Sequence, residues 1–119
     1  EMTSTRIVAG AIATRDFMPV HHDRDYANAQ GAPEIFMNIL STNGYCGRFL
    51  TDWAGPESLI RSLKIRLGVP VFAGSTLKFT GHITAIESIG NEQFVHIDFT
   101  ASNDLGDHAT GTAIVALPA

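Results

Sequence analysis

Apolar residues along this chain change their spacing part-way through, and the change divides it into two kinds of element. From Glu34 to Trp53, the residues Ile35, Ile39, Leu40, Phe49, Leu50 and Trp53 recur near helical spacing, which predicts a central helix of about five turns. Pro33 stands where a helix start tolerates proline, and Gly55-Pro56 supplies the stop. Gly44 and Gly47 each weaken an isolated helix by about 1 kcal/mol against alanine, so their expected use is close approach of a sheet or a ligand. After Pro56 the spacing shifts toward two. Leu59 to Leu67, Thr76 to Glu87, Gln93 to Asn103 and Ala109 to Leu117 read as strands, separated by turn signals at 68–75, Gly90-Asn91 and 104–107. Ahead of the helix, the β-branched and small residues from Arg6 to Thr14 read as a first strand with Gly10 as a candidate bulge. Arg24 to Gln30 reads as a short helical turn, broken at Gly31-Ala32-Pro33.

Strand, long helix, then four strands in a meander is an α+β order in which the sheet must cover the helix. The 119 residues show no repeat, linker or low-complexity tract, so the expectation is one domain over 1–119. A composition that is 45% hydrophobic disfavours disorder, and a net charge of -4 disfavours a nucleic-acid binder. Cys46 is alone, which leaves no intrachain disulfide and predicts a helix-buried thiol in a reduced, cytoplasmic protein. No apolar run approaches the roughly 20 residues that cross a bilayer, and Glu1 to Arg6 lacks the order of a signal peptide.

The chemistry concentrates in Arg15-Asp16-Phe17-Met18-Pro19-Val20-His21-His22-Asp23. Asp16 and His21 stand five residues apart across a stiffening proline, a candidate acid/base pair. The plainer alternative makes Asp16 a turn cap and His21 a hydrogen-bonded loop histidine. The cluster His21, His22, Asp23, Asp25 invites a metal, but adjacent histidines in an extended segment point opposite ways, so none is expected. His82, His96 and His108 lie in or beside strands, on exposed or half-buried faces, and receive no role.

A curled antiparallel sheet wrapped round one long helix is the hot dog fold, and two motifs resemble a family that uses it. Asp16-Phe17-Met18-Pro19-Val20-His21 is similar to the D-x-N-P-x-H signature of MaoC-like (R)-specific enoyl-CoA hydratases, and Pro70 to Leu77 to their P-V-x-x-G-D-x-L turn. The chain departs from the pattern at Met18, at Ser75 and at Met37-Asn38, where the family's helix opens with His-Gly. A narrower resemblance, to the small catalytic subunits of heteromeric hydratases acting on steroid side chains in cholesterol catabolism, rests on four stretches: 13–17, 20–25, 51–56 and 66–70.

That resemblance implies addition of water across the α,β double bond of a CoA thioester. Asp16 would be the principal base and His21 the water-orienting acid/base, with the backbone N–H of Asn38 as donor to the thioester oxygen. Phe36, Met37 and Cys46 are candidates for the acyl pocket, although apolar residues on a central helix are core by default. Arg61, Lys64 and Arg66 could neutralise the coenzyme A phosphates or equally form a solvated strand face. The resemblance further implies a bulky fused-ring acyl group and a tertiary alcohol product. Coenzyme A enters as part of the substrate, with no separate cofactor. The implied partner is a second hot dog subunit lacking the Asp/His pair, in a heterotetramer, with a downstream aldolase as a further candidate. A hot dog thioesterase and a non-catalytic partner subunit are the competing readings.

Overall fold

The computed structural model describes all residues, 1–119. The first element is a helix, α1 (Ser4–Ala13), where the sequence suggested a strand. Thr3 caps it, its hydroxyl accepting from the Arg6 N–H at 3.2 Å, and Ile7 and Ala11 bury one face at helical spacing. Three alanines at alternate positions from Ala9 to Ala13 outweigh Ile7 and Val8, because alanine loses least on entering a helix. Gly10 is therefore not a bulge: a Cβ there would collide with the Ser41 hydroxyl of the central helix, so the glycine sets how closely the two helices cross.

A single 3-10 turn (Pro19–His21) and α2 (Arg24–Ala29) follow, α2 being capped by Asp23, which accepts from the Tyr26 N–H at 3.1 Å. The central helix α3 spans Ile39–Ala54 and starts later than Pro33-Glu34 implied. Residues 34–37 run extended instead, since Ile35 and Met37 are both buried at a spacing of two and exchange backbone bonds with the 71–73 segment. Those bonds run from Met37 N–H to Val71 O and from Ala73 N–H to Ile35 O, both at 3.0 Å. Gly55 ends the helix at φ 89, a left-handed conformation that glycine adopts without strain.

Four strands complete the chain: β1 (Leu59–Leu67), β2 (Lys78–Ile89), β3 (Glu92–Asn103) and β4 (Gly106–Pro118). The antiparallel sheet has the order β1-β4-β3-β2, so only β2, β3 and β4 form a meander. β1 instead pairs with β4, from Leu59 opposite Ala116 to Leu67 opposite Ala109. The segment between β1 and β2 is occupied in bonding the 35–37 stretch and cannot act as a tight hairpin turn. Val95, Ile97, Phe99 and Ala101 turn inward along β3, and with Ala113 and Val115 of β4 the first three close over Cys46 and Leu50 of α3. Beside Phe99 the sheet needs Gly111, where a Cβ would come within 2.5 Å of that ring. A second cluster of Met2, Ile7, Ala27, Ile35, Met37 and Val71 fixes α1 and α2 at the start of α3.

Gly44 and Gly47 do not mark close approach within the chain. A Cβ at Gly44 would meet nothing within 4 Å, and one at Gly47 only Ile60, at 3.9 Å. The 16-residue helix is about 24 Å long, against about 40 Å for a 12-residue strand, so the helix cannot cover the sheet's inner face. Ile83 and Ile86 of β2, opposite the buried Ile97 and Val95, accordingly remain exposed.

Candidate active site

Asp16 is placed by the way α1 ends. Thr14 is its C-cap, Arg15 takes φ 58, and the Arg15 and Asp16 N–H groups bond back to Ile12 O and Ala11 O at 3.0 and 2.9 Å. This is a Schellman closure with a non-glycine residue in the left-handed position. It turns the chain sharply and presents the Asp16 carboxylate toward the N-terminus of α3. The Met18 N–H donates to Asp16 Oδ1 at 3.3 Å, closing a local turn. Asp16 thus does serve a turn, but with only one of its two oxygens.

The other oxygen, Oδ2, meets two groups distant in sequence. Asn38 Nδ2 donates to it at 3.2 Å, and His21 Nε2 lies 3.4 Å away. His21 is buried, and its Nδ1 lies 2.7 Å from the Phe36 carbonyl, with the Phe36 ring edge-on at 5.1 Å. A carbonyl only accepts, so Nδ1 carries the proton, and in the neutral ring Nε2 offers a lone pair toward the carboxylate. Two acceptors then face each other, an arrangement that a water molecule satisfies by donating one proton to each. Hydrogen bonding by Asn38 is the main reason the Asp16 carboxyl is held below its ordinary range; burial opposes it, and the Met18 N–H and His21 add to it. Asp16 is therefore ionised at neutral pH, as a base must be.

Asn38 is the N-cap of α3, its Oδ1 accepting from the Ser41 N–H at 3.2 Å. Its own backbone N–H donates to no protein acceptor, and it lies in the same residue that touches Asp16. The positive end of the helix dipole adds to its capacity as an anion donor. The structure thus brings Asp16, His21, Phe36 and Asn38 together at one end of α3.

The remaining sequence candidates stand elsewhere. Met37 is buried among the residues around Ile7, and Cys46 is fully buried against the sheet, where burial pushes its thiol up to about 11. Both belong to the core of this chain. Arg61 forms a two-pronged ion pair with Glu92 at 3.1 Å and lies over the Phe94 ring. Lys64 and Arg66 border an open depression of about 680 Å³ that also takes in His82, Asp98 and Thr112, on the sheet face opposite Leu63 and Ile65. Alternation along β1 sends Lys64 and Arg66 to the face turned away from α3. His22 turns out to the Phe17 carbonyl, and Asp23 is committed to its cap.

Sequence reasoning missed two contributors. Placing His108 on an exposed or half-buried face is corrected: it is 4% exposed, with Nδ1 2.6 Å from Val69 O and Nε2 2.8 Å from the Thr42 hydroxyl. Thr42 also reaches the Asn38 carbonyl at 3.3 Å, so a buried histidine braces the start of α3. The side chain of Asn38 is the second. No local signal announces either, because their partners lie 66 and 22 residues away.

Comparison with known proteins agrees with this architecture. The chain is 48% identical over 113 residues to the 3-oxo-4,17-pregnadiene-20-carboxyl-CoA hydratase beta subunit of Mycobacterium tuberculosis, covering 95% of this chain and 84% of that one. A chain of the Mycobacterium tuberculosis ChsH1-ChsH2 complex superposes with a TM-score of 0.88 at 46% identity, covering 98% of this chain and 88% of its own. The (R)-hydratase of A. caviae involved in PHA biosynthesis shares the fold, with a TM-score of 0.84 at 21% identity over 99% and 89% of the two chains. The profile of the MaoC like domain matches residues 1–104, the stretch that holds Asp16, His21 and Asn38, and the chain belongs to that family.

Proposed function

We propose that this chain is the catalytic subunit of an enoyl-CoA hydratase that adds water across the α,β double bond of a CoA thioester. The observation that carries the reading is the 3.4 Å approach of His21 Nε2 to Asp16 Oδ2, beside an uncommitted N–H at Asn38. A water donating to both acceptors keeps its oxygen lone pairs for the β-carbon. Asp16 takes a proton as the C–O bond forms, and negative charge passes to the thioester oxygen, where the Asn38 N–H stabilises it. The proton then returns, through Asp16 or His21, to the α-carbon on the same face. One water is consumed, and the chemistry calls for no cofactor beyond the coenzyme A of the substrate.

Similarity to the pregnadiene-carboxyl-CoA hydratase subunit supports a fused-ring steroid acyl group as the substrate class. In such a thioester the β-carbon belongs to the ring and carries no hydrogen, so hydration yields a tertiary alcohol. A tertiary alcohol cannot be oxidised to a ketone, and carbon–carbon cleavage by an aldolase is the onward reaction that its chemistry permits.

The active unit is a heteromer with a second hot dog subunit. Only 22 of 119 residues are buried, a thin core for a chain of this length. β2 is an open sheet edge whose inward-facing Ile83 and Ile86 are 47% and 58% exposed, next to Trp53 at 50%. A partner that continues the sheet past β2 would cover this patch and complete the thioester's binding site. The test is mixing: purified chain with and without candidate hot dog partners, following the absorbance of the conjugated thioester. Hydration only in a mixture supports the reading; release of free thiol instead would make the protein a thioesterase.

A further inference from the structure

We propose that the Asn38 side chain is a positioning residue of this hydration: its one amide ties the base Asp16 to the first turn of α3, so that base and oxygen donor move as one body. The inference rests on the hydratase reading for its meaning, and on the following geometry for its substance.

An amide has two donor hydrogens and one acceptor oxygen, and at Asn38 all three positions are used. Nδ2 donates to Thr14 Oγ1 at 2.8 Å and to Asp16 Oδ2 at 3.2 Å, while Oδ1 accepts from the Ser41 N–H at 3.2 Å. The amide cannot be reversed, since its oxygen must face an N–H and its nitrogen must face a carboxylate. Thr14 supports that orientation. Its hydroxyl donates to Gly10 O at 2.8 Å, which leaves lone pairs on the oxygen for the Asn38 amide. Three elements therefore converge on one side chain: the end of α1 through Thr14, the loop through Asp16, and α3 through Ser41. Asn38 is 1% exposed, so water does not stand in for any of these partners.

The arrangement has a chemical consequence. Of the groups acting on the Asp16 carboxylate, His21 is the only ionisable one, and the others are the Asn38 amide and the Met18 N–H. The amide is a neutral donor that favours the ionised carboxylate yet has no proton to surrender to it. It also stands on the residue whose backbone N–H is aimed at the thioester oxygen. A displacement of α3 relative to Asp16 would separate base and donor, and misplacement by about 1 Å can cost on the order of a hundredfold in rate. The amide resists that displacement.

Asn38→Ser tests this. Serine still caps α3 and keeps the backbone N–H, but is too short to reach Asp16. In the active heteromer we expect kcat to fall on the order of a hundredfold with KM little changed, and the acid limb of kcat/KM to move to higher pH. Thr14→Val should shift both in the same direction to a smaller extent, and Thr14→Ser should restore them. Carbon-13 NMR of the Asp16 carboxyl gives a readout that needs no turnover: its midpoint should rise in Asn38→Ser. If the native complex hydrates no enoyl thioester, the hydratase reading fails, and the carboxyl titration alone judges the tie. An unmoved midpoint in Asn38→Ser overturns the proposal, whether kcat is retained or falls together with the melting temperature.

Discussion

The proton on His21 is placed by a carbonyl: Phe36 O lies 2.7 Å from Nδ1, which leaves Nε2 as the nitrogen that faces Asp16. Phe36 can hold that carbonyl steady because its neighbours are tied on both sides. Met37 N–H and Ile35 O bond to the 71–73 segment, and Glu34 pairs with Arg24 at 2.9 Å while accepting from the Ile35 N–H. The tautomer of the loop histidine is thus set by a short extended stretch before α3, the stretch that helical spacing had assigned to the helix.

Arg15 carries the cost of placing Asp16. A non-glycine residue at φ 58 is strained by about 1–2 kcal/mol, and glycine relieves this while losing part of the gain to its freer unfolded chain. Arg15→Gly is expected to raise unfolding free energy by about 0.5–1 kcal/mol, measured by chemical denaturation. A loss of stability would mean that the arginine side chain makes a compensating contact.

His108 is expected to matter for stability although it is remote from the reacting atoms. Its removal orphans the Val69 carbonyl and weakens the hold on Thr42, so His108→Ala should cost about 2–3 kcal/mol and Thr42→Val about 1 kcal/mol. Because both act on one network, the double variant should cost less than the sum. Urea midpoints of the three variants check this, and additive costs would show that the two residues act separately.

Burial of Cys46 raises its thiol from 9.0 to about 11, so folding favours the neutral form. The stabilisation is complete below pH 9 and is lost as pH climbs toward 11. Comparing native protein with Cys46→Ala cancels the other groups that titrate there. The native protein should lose stability faster than Cys46→Ala across that window; parallel curves would contradict the buried thiol.

Ile86 separates folding from assembly. It is 58% exposed in the free chain, so Ile86→Lys should change the chain's own stability by no more than about 0.5 kcal/mol. The same charge at a sheet edge covered by a partner should abolish the heteromer and its activity. Sedimentation of the mixed subunits reads this directly; an intact complex would place the interface elsewhere.

Much of the fold was legible because its signals are local. Val95, Ile97 and Phe99 alternate with His96 and Asp98, and β3 follows; Gly55 stops α3 where its flexibility is needed. The misreadings arose where two periods compete over a short span. Ile35 and Met37 continue the apolar run into α3 although they obey a spacing of two, and Ile7-Val8 looks β-branched inside an alanine-rich helix. Strand order was not legible, since β1 meets β4 across most of the remaining chain and nothing nearby announces it. At the site, Asp16 and His21 were legible as a motif five residues apart. The Asn38 amide and His108 act through space, on partners that only the folded chain brings near.

The central claim is that Asp16 and His21 share the attacking water. Its most direct test is the rate of loss of the conjugated enoyl thioester in the heteromer, for the native chain, Asp16→Asn, His21→Ala and the double variant, with the product formed in deuterated water. Each single variant should lose about 10²- to 10⁴-fold, the double little more than the worse single, and native product should carry deuterium on the α-carbon. Hydration at the native rate in Asp16→Asn, or losses that multiply in the double variant, would contradict a water held jointly by the two residues.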